Sequence, residues 1–235
     1  MSAFVNLSQA VRVDRPPPRQ PRETVMQIAI IGTGNVGAAL GERWAAAGHD
    51  ILFGVRQPGA AKVAAVVKKA GARARALAVR EAAAGAAVVV LAVPFDAVEQ
   101  AIAACGNLTG KIVVDCNNPL LANLSGLAVG YTDSCGEMVA RWAKGARVVK
   151  ALNTTGSGNM LDPRYGHEAL SMFVCGDDAD AKKVVTGLVA ELGFEPVDAG
   201  PLTQARYLEP LAMLWISMAY GLGQGPNFGF RVLRR

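Results

Sequence analysis

Apolar residues in this chain come in short unbroken runs, without the alternation of a half-buried strand. The clearest are Ile28-Ala29-Ile30-Ile31, Ile51-Leu52-Phe53, residues 87–93, residues 111–116 and Val148-Val149-Lys150-Ala151-Leu152. A run apolar at every position belongs to a strand covered on both faces, as in a parallel sheet. Between the runs lie Ala-rich stretches with charged residues at helical spacing, at 38–45, 61–70, 97–104 and 178–192. Strand-helix alternation predicts an α/β chain with a doubly wound, mostly parallel sheet. The runs at 171–175 and 194–198 are expected to extend that sheet. Residues 203–221 form a last helical region, apolar around most of its circumference from Leu211 onward. It is too short to cross a bilayer, so protein must cover it, either as a lid or as a homodimer interface anchored by Trp215 and Tyr220.

The first apolar run breaks into Gly32-Thr33-Gly34-Asn35-Val36-Gly37 and continues as a helix. Strand, glycine turn and helix in this order make a dinucleotide site of the Rossmann type. The first glycine allows the tight turn, the second a close approach of backbone to pyrophosphate, and the third close packing of helix on strand. The second strand decides which dinucleotide. An acid at its end would accept from the ribose hydroxyls of NAD, but this chain has Arg56 and no acid beside it, which suits the 2′-phosphate of NADP. Asp50 stands at the other end of the strand, in the turn that enters it.

In such a sheet the ligand crevice lies beyond the carboxyl ends of the strands. The residues expected there are Thr33, Asn35, Arg56, Val93-Pro94-Phe95, Asn117-Asn118-Pro119 and Asn153-Thr154-Thr155-Gly156. Asn and Thr can hold ribose or carboxamide groups, and Pro94 would turn the chain away from the nicotinamide.

The net charge of +5 misleads about partners. Residues 1–25 carry four Arg against Asp14 and Glu23, and the last five residues carry three Arg, which leaves residues 26–230 with no net charge. No nucleic-acid surface is implied, because the excess sits in two tails without aromatic interleaving. The Pro- and Arg-rich residues 1–25 are expected to be an extended, mobile leader or an over-extended start, with no apolar stretch for a secretory signal. Three stretches result: this leader, a nucleotide-binding domain over 26–200, and a C-terminal helical segment over 201–235. Cys105, Cys116, Cys135 and Cys175 have no metal-like or disulfide-framework spacing, and a cytoplasmic location is expected. Cys135, at a helix start, is read as structural, and both histidines, His49 and His167, as structural or exposed. The lack of an acid-base constellation is informative. Carbonyl reduction needs a proton donor near the accepting oxygen, whereas hydride exchange between two ring cofactors mainly needs alignment and water exclusion.

These motifs together resemble the NADPH-dependent reductases of coenzyme F420 and the related NADPH domain of the STEAP metalloreductases. The resemblance covers residues 26–235. It is carried by IAIIGTGNVG, FGVRQP, DCNNPL from Asp115, VVKALNTTG from Val148, FVCGDD from Phe173 and PVDAGPLTQARYLEPLAMLWI from Pro196. It implies a hydride passed between NADP(H) and a deazaflavin (coenzyme F420) or a flavin, without covalent protein chemistry, in a homodimer. Gly32 to Gly37 and Arg56 would hold NADP, Val93 and Pro94 would floor the nicotinamide, and Asn117 would contact the nucleotide. Asn153 with Leu211, Met213, Leu214 and Trp215 would line the acceptor pocket. No metal is implied. Val55 stands where many members carry Ser or Thr, and Asn153 where some carry His. A noncatalytic NADPH-binding sensor or scaffold is the alternative, which NADPH turnover would exclude.

Overall fold

The computed structural model describes residues 25–235. The leader expected over 1–25 lies, except for Val25, outside the described residues. In chain order the elements are β1 (Gln27–Ile31), α1 (Asn35–Ala47), β2 (Asp50–Val55), α2 (Ala61–Ala70), β3 (Ala74–Ala78) and α3 (Val79–Ala84). Then follow β4 (Val88–Leu91), α4 (Val98–Cys105), β5 (Ile112–Asp115), α5 (Cys135–Trp142), β6 (Arg147–Lys150) and α6 (Ser157–Leu161). A two-residue hairpin, β7 (Arg164–Tyr165) and β8 (Glu168–Ala169), precedes β9 (Ser171–Gly176), α7 (Ala179–Glu191), β10 (Glu195–Gly200) and α8 (Ala205–Ile216).

The strands build one eight-stranded sheet in the order β10-β9-β6-β5-β4-β1-β2-β3. From β3 to β6 all neighbours are parallel, in the 3-2-1-4-5-6 order of a Rossmann sheet. β9 joins β6 antiparallel, and β10 lies parallel to β9. The extension predicted from the last two apolar runs is therefore present, with reversed direction.

The period of two along each strand sends alternate side chains to opposite layers. Ile28 and Ile30 with Ile51, Phe53, Val90 and Val114 pack under α1, α6 and α7, while Ala29 and Ile31 with Leu52, Val89 and Val113 pack under α3, α4 and α5. Both faces are closed, which is why the runs are apolar throughout. Trp44 Nε1 donates to the Leu188 carbonyl at 3.0 Å and ties α1 to α7. His49, buried at the α1–β2 turn, accepts from Met26 N–H and faces Glu191 at 2.7 Å, so it is structural as expected. Asp50 pairs with Arg73 at 2.9 Å at the strand entrance, away from the crevice.

After α8 a short π turn runs to Gly221, and residues 222–235 have no regular secondary structure. The helical C-terminal region thus ends in an extended strap. Phe230 O accepts from Ser171 N–H, Val232 N–H donates to Ser171 Oγ, and Phe228 stacks on Trp215 with ring centroids 5.4 Å apart. The need for α8 to be covered is met in part from within the chain. Trp215, 3% exposed and donating to the Phe228 carbonyl at 2.9 Å, is a core residue here and not an exposed interface anchor; Tyr220 remains exposed. Among the described residues no helix is long and apolar enough to cross a membrane.

Candidate functional site

The crevice opens where β1 and β4 part, since the chain leaves these neighbours toward opposite layers. Gly32 has φ +110°, and a Cβ there would lie 2.3 Å from the Ala92 carbonyl oxygen. At Gly37 a Cβ would lie 2.3 Å from the Gly32 carbonyl, so the turn closes on α1 only without side chains. Gly34 differs: nothing lies within 4 Å of its would-be Cβ. It is the N-cap of α1, no side chain caps that helix, and no acid occupies its first turn. The first-turn N–H groups and the positive end of the helix dipole are therefore left for an anion, and a Cβ at Gly34 would fill the cradle in front of them. This donor set fits a pyrophosphate. Gly32 N–H donates to Gly54 O at 3.2 Å, which ties the turn to β2 and to exposed Arg56 just past its end.

A cavity of about 490 Å³ extends from the turn along the strand ends. Gly34, Asn35 and Val36 form one end. Val93, Pro94, Phe95 and Asp96 come from the segment after β4, and Asn117 and Asn118 from that after β5. The far wall is Leu120, Leu121, Ala122 and Leu124. Asp96 is the one carboxylate on this lining, and burial pushes the Cys116 thiol, also on it, far up. Asn117 Oδ1 accepts from Val93 N–H at 3.1 Å, so the β4 and β5 segments hold each other.

Of the residues expected at the site, Gly34, Asn35, Val36, Val93, Pro94 and Asn117 line the cavity, while Gly32, Thr33 and Gly37 shape the turn behind it. Asn153 is buried in the rim, its Nδ2 donating to Asn118 Oδ1 at 3.0 Å and to Leu208 O at 3.2 Å. Its own Oδ1 is buried without a partner. The expectation for α8 is corrected: Leu211, Met213, Leu214 and Trp215 do not line the cavity. Leu214 is exposed, and the Trp215 ring lies between Gly156 and Phe228; a Cβ on Gly156 would be 2.6 Å from it. α8 reaches the rim earlier in its length, through the Leu208 carbonyl that accepts from Asn153 Nδ2–H and through Glu209.

Glu209 belongs to a cluster that sequence reasoning missed. Asp115 and Lys150 are register partners at the ends of β5 and β6. Lys150 Nζ, fully buried, lies 2.8 Å from Asp115 Oδ2 and 2.8 Å from Glu209 Oε1, and it also donates to the Asn117 carbonyl. Asp115 Oδ1 accepts from both Asn117 N–H and Nδ2–H, at 3.0 and 2.8 Å. Glu209 accepts from the Cys135 and Gly136 N–H groups at the start of α5, at 3.0 and 3.1 Å. Burial alone would depress Lys150, but Asp115 and Glu209 outweigh it and hold the ammonium charged. Burial pushes the Glu209 carboxyl up, opposed by Lys150 and the Cys135 N–H. Cys135 lies against the same charges, and its thiol is pushed far up chiefly by burial, so its helix-start position gives it no thiolate character. Asp115, Cys135 and Glu209 bring possible ligand atoms within 4.8 Å of one another, but the Lys150 ammonium fills the place of a cation. The signal was present in the sequence, as an Asp and a Lys inside apolar runs. His167 lies exposed in the β7–β8 turn, away from the cavity lining.

Residues 27–119 match the family described as NADP oxidoreductase, coenzyme F420-dependent. The F420-dependent NADP reductase of Methanothermobacter thermautotrophicus is 30% identical over 208 residues, 83% of this chain and 89% of its own. The metalloreductase STEAP3 of Rattus norvegicus is 28% identical over 80% of this chain, which spans 37% of that longer protein. A crystal structure of a candidate F420-dependent NADP reductase from Arthrobacter sp. FB24 superposes with a TM-score of 0.81 at 36% identity, over 89% of this chain and 100% of that one. With 30% identity over 83% of this chain and 89% of the Methanothermobacter reductase, the chain belongs to the family of F420-dependent NADP oxidoreductases.

Proposed function

We propose that this member of an NADP-dependent oxidoreductase family binds NADP(H) across the strand ends and exchanges a hydride with a deazaflavin or flavin ring. The observation that carries the reading is one continuous cavity running from the uncapped start of α1 to the Val93-Pro94 and Asn117-Asn118 edge. NADPH supplies the hydride, from C4 of its nicotinamide. The Asn35, Val36 and Gly37 N–H groups hold the pyrophosphate, and Arg56 pairs with the 2′-phosphate. Val93 and Pro94 form the floor under the nicotinamide, and the Val93–Asn117 hydrogen bond fixes its height. Asn153 acts from behind the lining, its Nδ2–H holding Asn118 Oδ1 and so setting the Asn118 edge of the ring site. The walls exclude water, and positioning replaces acid-base chemistry.

Residues 26–200 act in this reading as the nucleotide domain and 201–235 as the segment that closes its C-terminal side. The exposed Tyr207, Leu214, Tyr220 and Leu222 of that segment are the surface through which a homodimer would form, which sedimentation tests directly. The function is tested by mixing purified protein with NADPH and coenzyme F420 or FMN and following the loss of the reduced-nicotinamide absorbance. Consumption with either acceptor supports the reading. Tight NADPH binding without turnover would favour a noncatalytic sensor.

A further inference from the structure

Among the described residues, three that are not glycine have positive φ: Leu124 at +57°, Tyr131 at +60° and Leu152 at +62°. All three follow β5 or β6, on the crevice side of the sheet. A left-handed backbone is strained for any residue with a Cβ, and for leucine no local side-chain hydrogen bond offsets it. At Leu152 the strain is offset by burial, since its side chain is 1% exposed in the core. Leu124 has no such return: it is 45% exposed, and Leu121 beside it is 42% exposed. Yet the loop is firmly built. Leu121 N–H donates to Gly126 O, Ala128 N–H to Pro119 O, Leu120 bridges Leu127, and Ser125 donates to Asn123 through both N–H and Oγ. The loop thus spends its hydrogen bonds on holding apolar side chains out toward the cavity, opposite the floor formed by Val93, Pro94 and Phe95.

We infer that residues 120–124 are the wall that receives the second ring, and that Leu124 is a specificity-determining residue for a planar tricyclic acceptor with apolar faces. This rests on the hydride-exchange reading above. Leu124 N–H donates to Leu121 O and closes a turn at the cost of a left-handed backbone, and unlike Tyr131 its exposed side chain lies on the cavity lining; strain combined with that position is the mark of function. Leu120, Leu121 and Leu124 share the lining with Val93, Pro94 and Phe95, and the polar side chains of that lining are few, Asn35, Asp96, Asn117 and Asn118, which suits a flat ring with apolar faces and a polar edge better than a sugar or a small oxo-acid.

The test is Leu124→Gly and Leu124→Asn, both of which tolerate the left-handed backbone, assayed with coenzyme F420 and with FMN. Expected are an unchanged or raised melting temperature, NADPH affinity within about twofold, and a KM for the acceptor that rises about five- to tenfold, for loss of part of one apolar side chain's contact. Tyr131→Gly is the control. It relieves a similar backbone at a side chain that is 96% exposed and not on the cavity lining, so the acceptor KM should not move. A lower melting temperature with unchanged KM would overturn the inference, because Leu124 would then be a packing residue. Equal weakening of NADPH and acceptor would overturn it too, since the wall would serve the whole cavity. If the parent protein consumes NADPH with neither acceptor, the function reading fails first and takes this inference with it.

Discussion

Replacing Lys150 by Met removes the ammonium but keeps most of the side-chain volume, leaving Asp115 and Glu209 buried with no cation between them. Three charge-assisted hydrogen bonds end at Nζ, and at about 1.5–3 kcal/mol each a simple sum would reach roughly 5–9 kcal/mol. That sum is too large. Asp115 keeps two donors from Asn117, and Glu209 keeps the Cys135 and Gly136 N–H groups, so each carboxylate loses one partner and not all of them. The relevant scale is that of a broken buried pair, about 3–5 kcal/mol. For a domain of this size that corresponds to a fall in Tm of roughly 6–20 °C. The variant also acquires a pH dependence with a definite sign. Glu209 is already pushed up by burial, and without Lys150 it rises further. A carboxyl raised above its unfolded value stabilises the fold when protonated and loses that contribution as pH rises through the folded value, so Lys150→Met should melt higher at pH 5.5 than at pH 8 (values spanning roughly the range of a raised carboxyl). Adding Glu209→Gln to Lys150→Met should recover more than half of the lost Tm, because it removes one of the two stranded charges. Calorimetric or fluorescence melts at the two pH values check both statements. A Lys150→Met protein melting within about 3 °C of the parent, under 1.5 kcal/mol on the same scale, would refute the view that these charges depend on one another.

The two remaining glycine positions separate fold from ligand. Gly37→Ala drives a Cβ into the Gly32 carbonyl and should lower Tm clearly, whereas Gly34→Ala should leave the ligand-free Tm unchanged and weaken NADPH binding at least tenfold, roughly 1.4 kcal/mol. Arg56→Ala should narrow the NADPH-over-NADH preference by about 1.5–3 kcal/mol in fluorescence titrations; equal affinities in the parent would show that Arg56 is not the 2′-phosphate contact. All four thiols are buried, with Cys105 pushed up to about 11 and Cys175 to about 12, so the folded protein should react with a disulfide reagent only as fast as it opens. Glu137, held down by its hydrogen bonds from Arg206, contributes stability above the usual carboxylate range that is lost as pH falls through its lowered folded value. Arg206→Ala should flatten that acid limb, read as a smaller loss of Tm between neutral and acid pH than in the parent.

The parts of the fold legible in the sequence are those where burial on both faces leaves one reading. β1, β4, β5 and β6 were plain because nothing polar interrupts them until their ends. β3 and α3 were not found: Ala-Arg-Ala-Leu-Ala is an edge strand, half-exposed and poor in β-branched residues, and the Ala-rich residues after it give no period to follow. The direction of β9 was also hidden, since a six-residue strand with an apolar centre looks the same whichever way it runs. At the site, the glycine turn, Val93-Pro94 and Asn117 could be found because they directly follow strands. Residues 120–124 could not, because a loop wall has no periodicity. The misplacement of Trp215 has a similar cause. An aromatic on an apolar helix announces that something covers it, and the sequence does not say whether the cover is a ligand, a partner or, as here, Phe228 thirteen residues later.

The helix starts differ in whether the chain's own carboxylates close their positive ends. α5 begins with Ser134, whose Oγ accepts from Glu137 N–H while Glu137 bonds back to the hydroxyl, and the Glu209 carboxylate takes the next two N–H groups. α7 is capped by Asp178. The dipoles of both helices are thereby matched by carboxylates of the chain itself, and Glu209 does this while sharing Lys150 with Asp115, so the extra negative charge of that triad lies at a helix N-terminus. α1 has no such carboxylate, and neither does α2, which starts a few residues past Arg56 and has no acid in its first turn. α6 and α8 also start without a side-chain cap or a first-turn acid, but α1 and α2 are the ones that directly follow β1 and β2, the two strands whose ends a dinucleotide would cross. Were the open ends merely unoptimised, adding a cap would raise stability at no other cost. If they are reserved for phosphates, the same cap must compete with the ligand. Ala60→Asp at the N-cap of α2 therefore distinguishes the cases: a gain of about 0.5–1 kcal/mol in the ligand-free melt is expected in either, but only a reserved site loses NADPH affinity while NADH affinity stays the same.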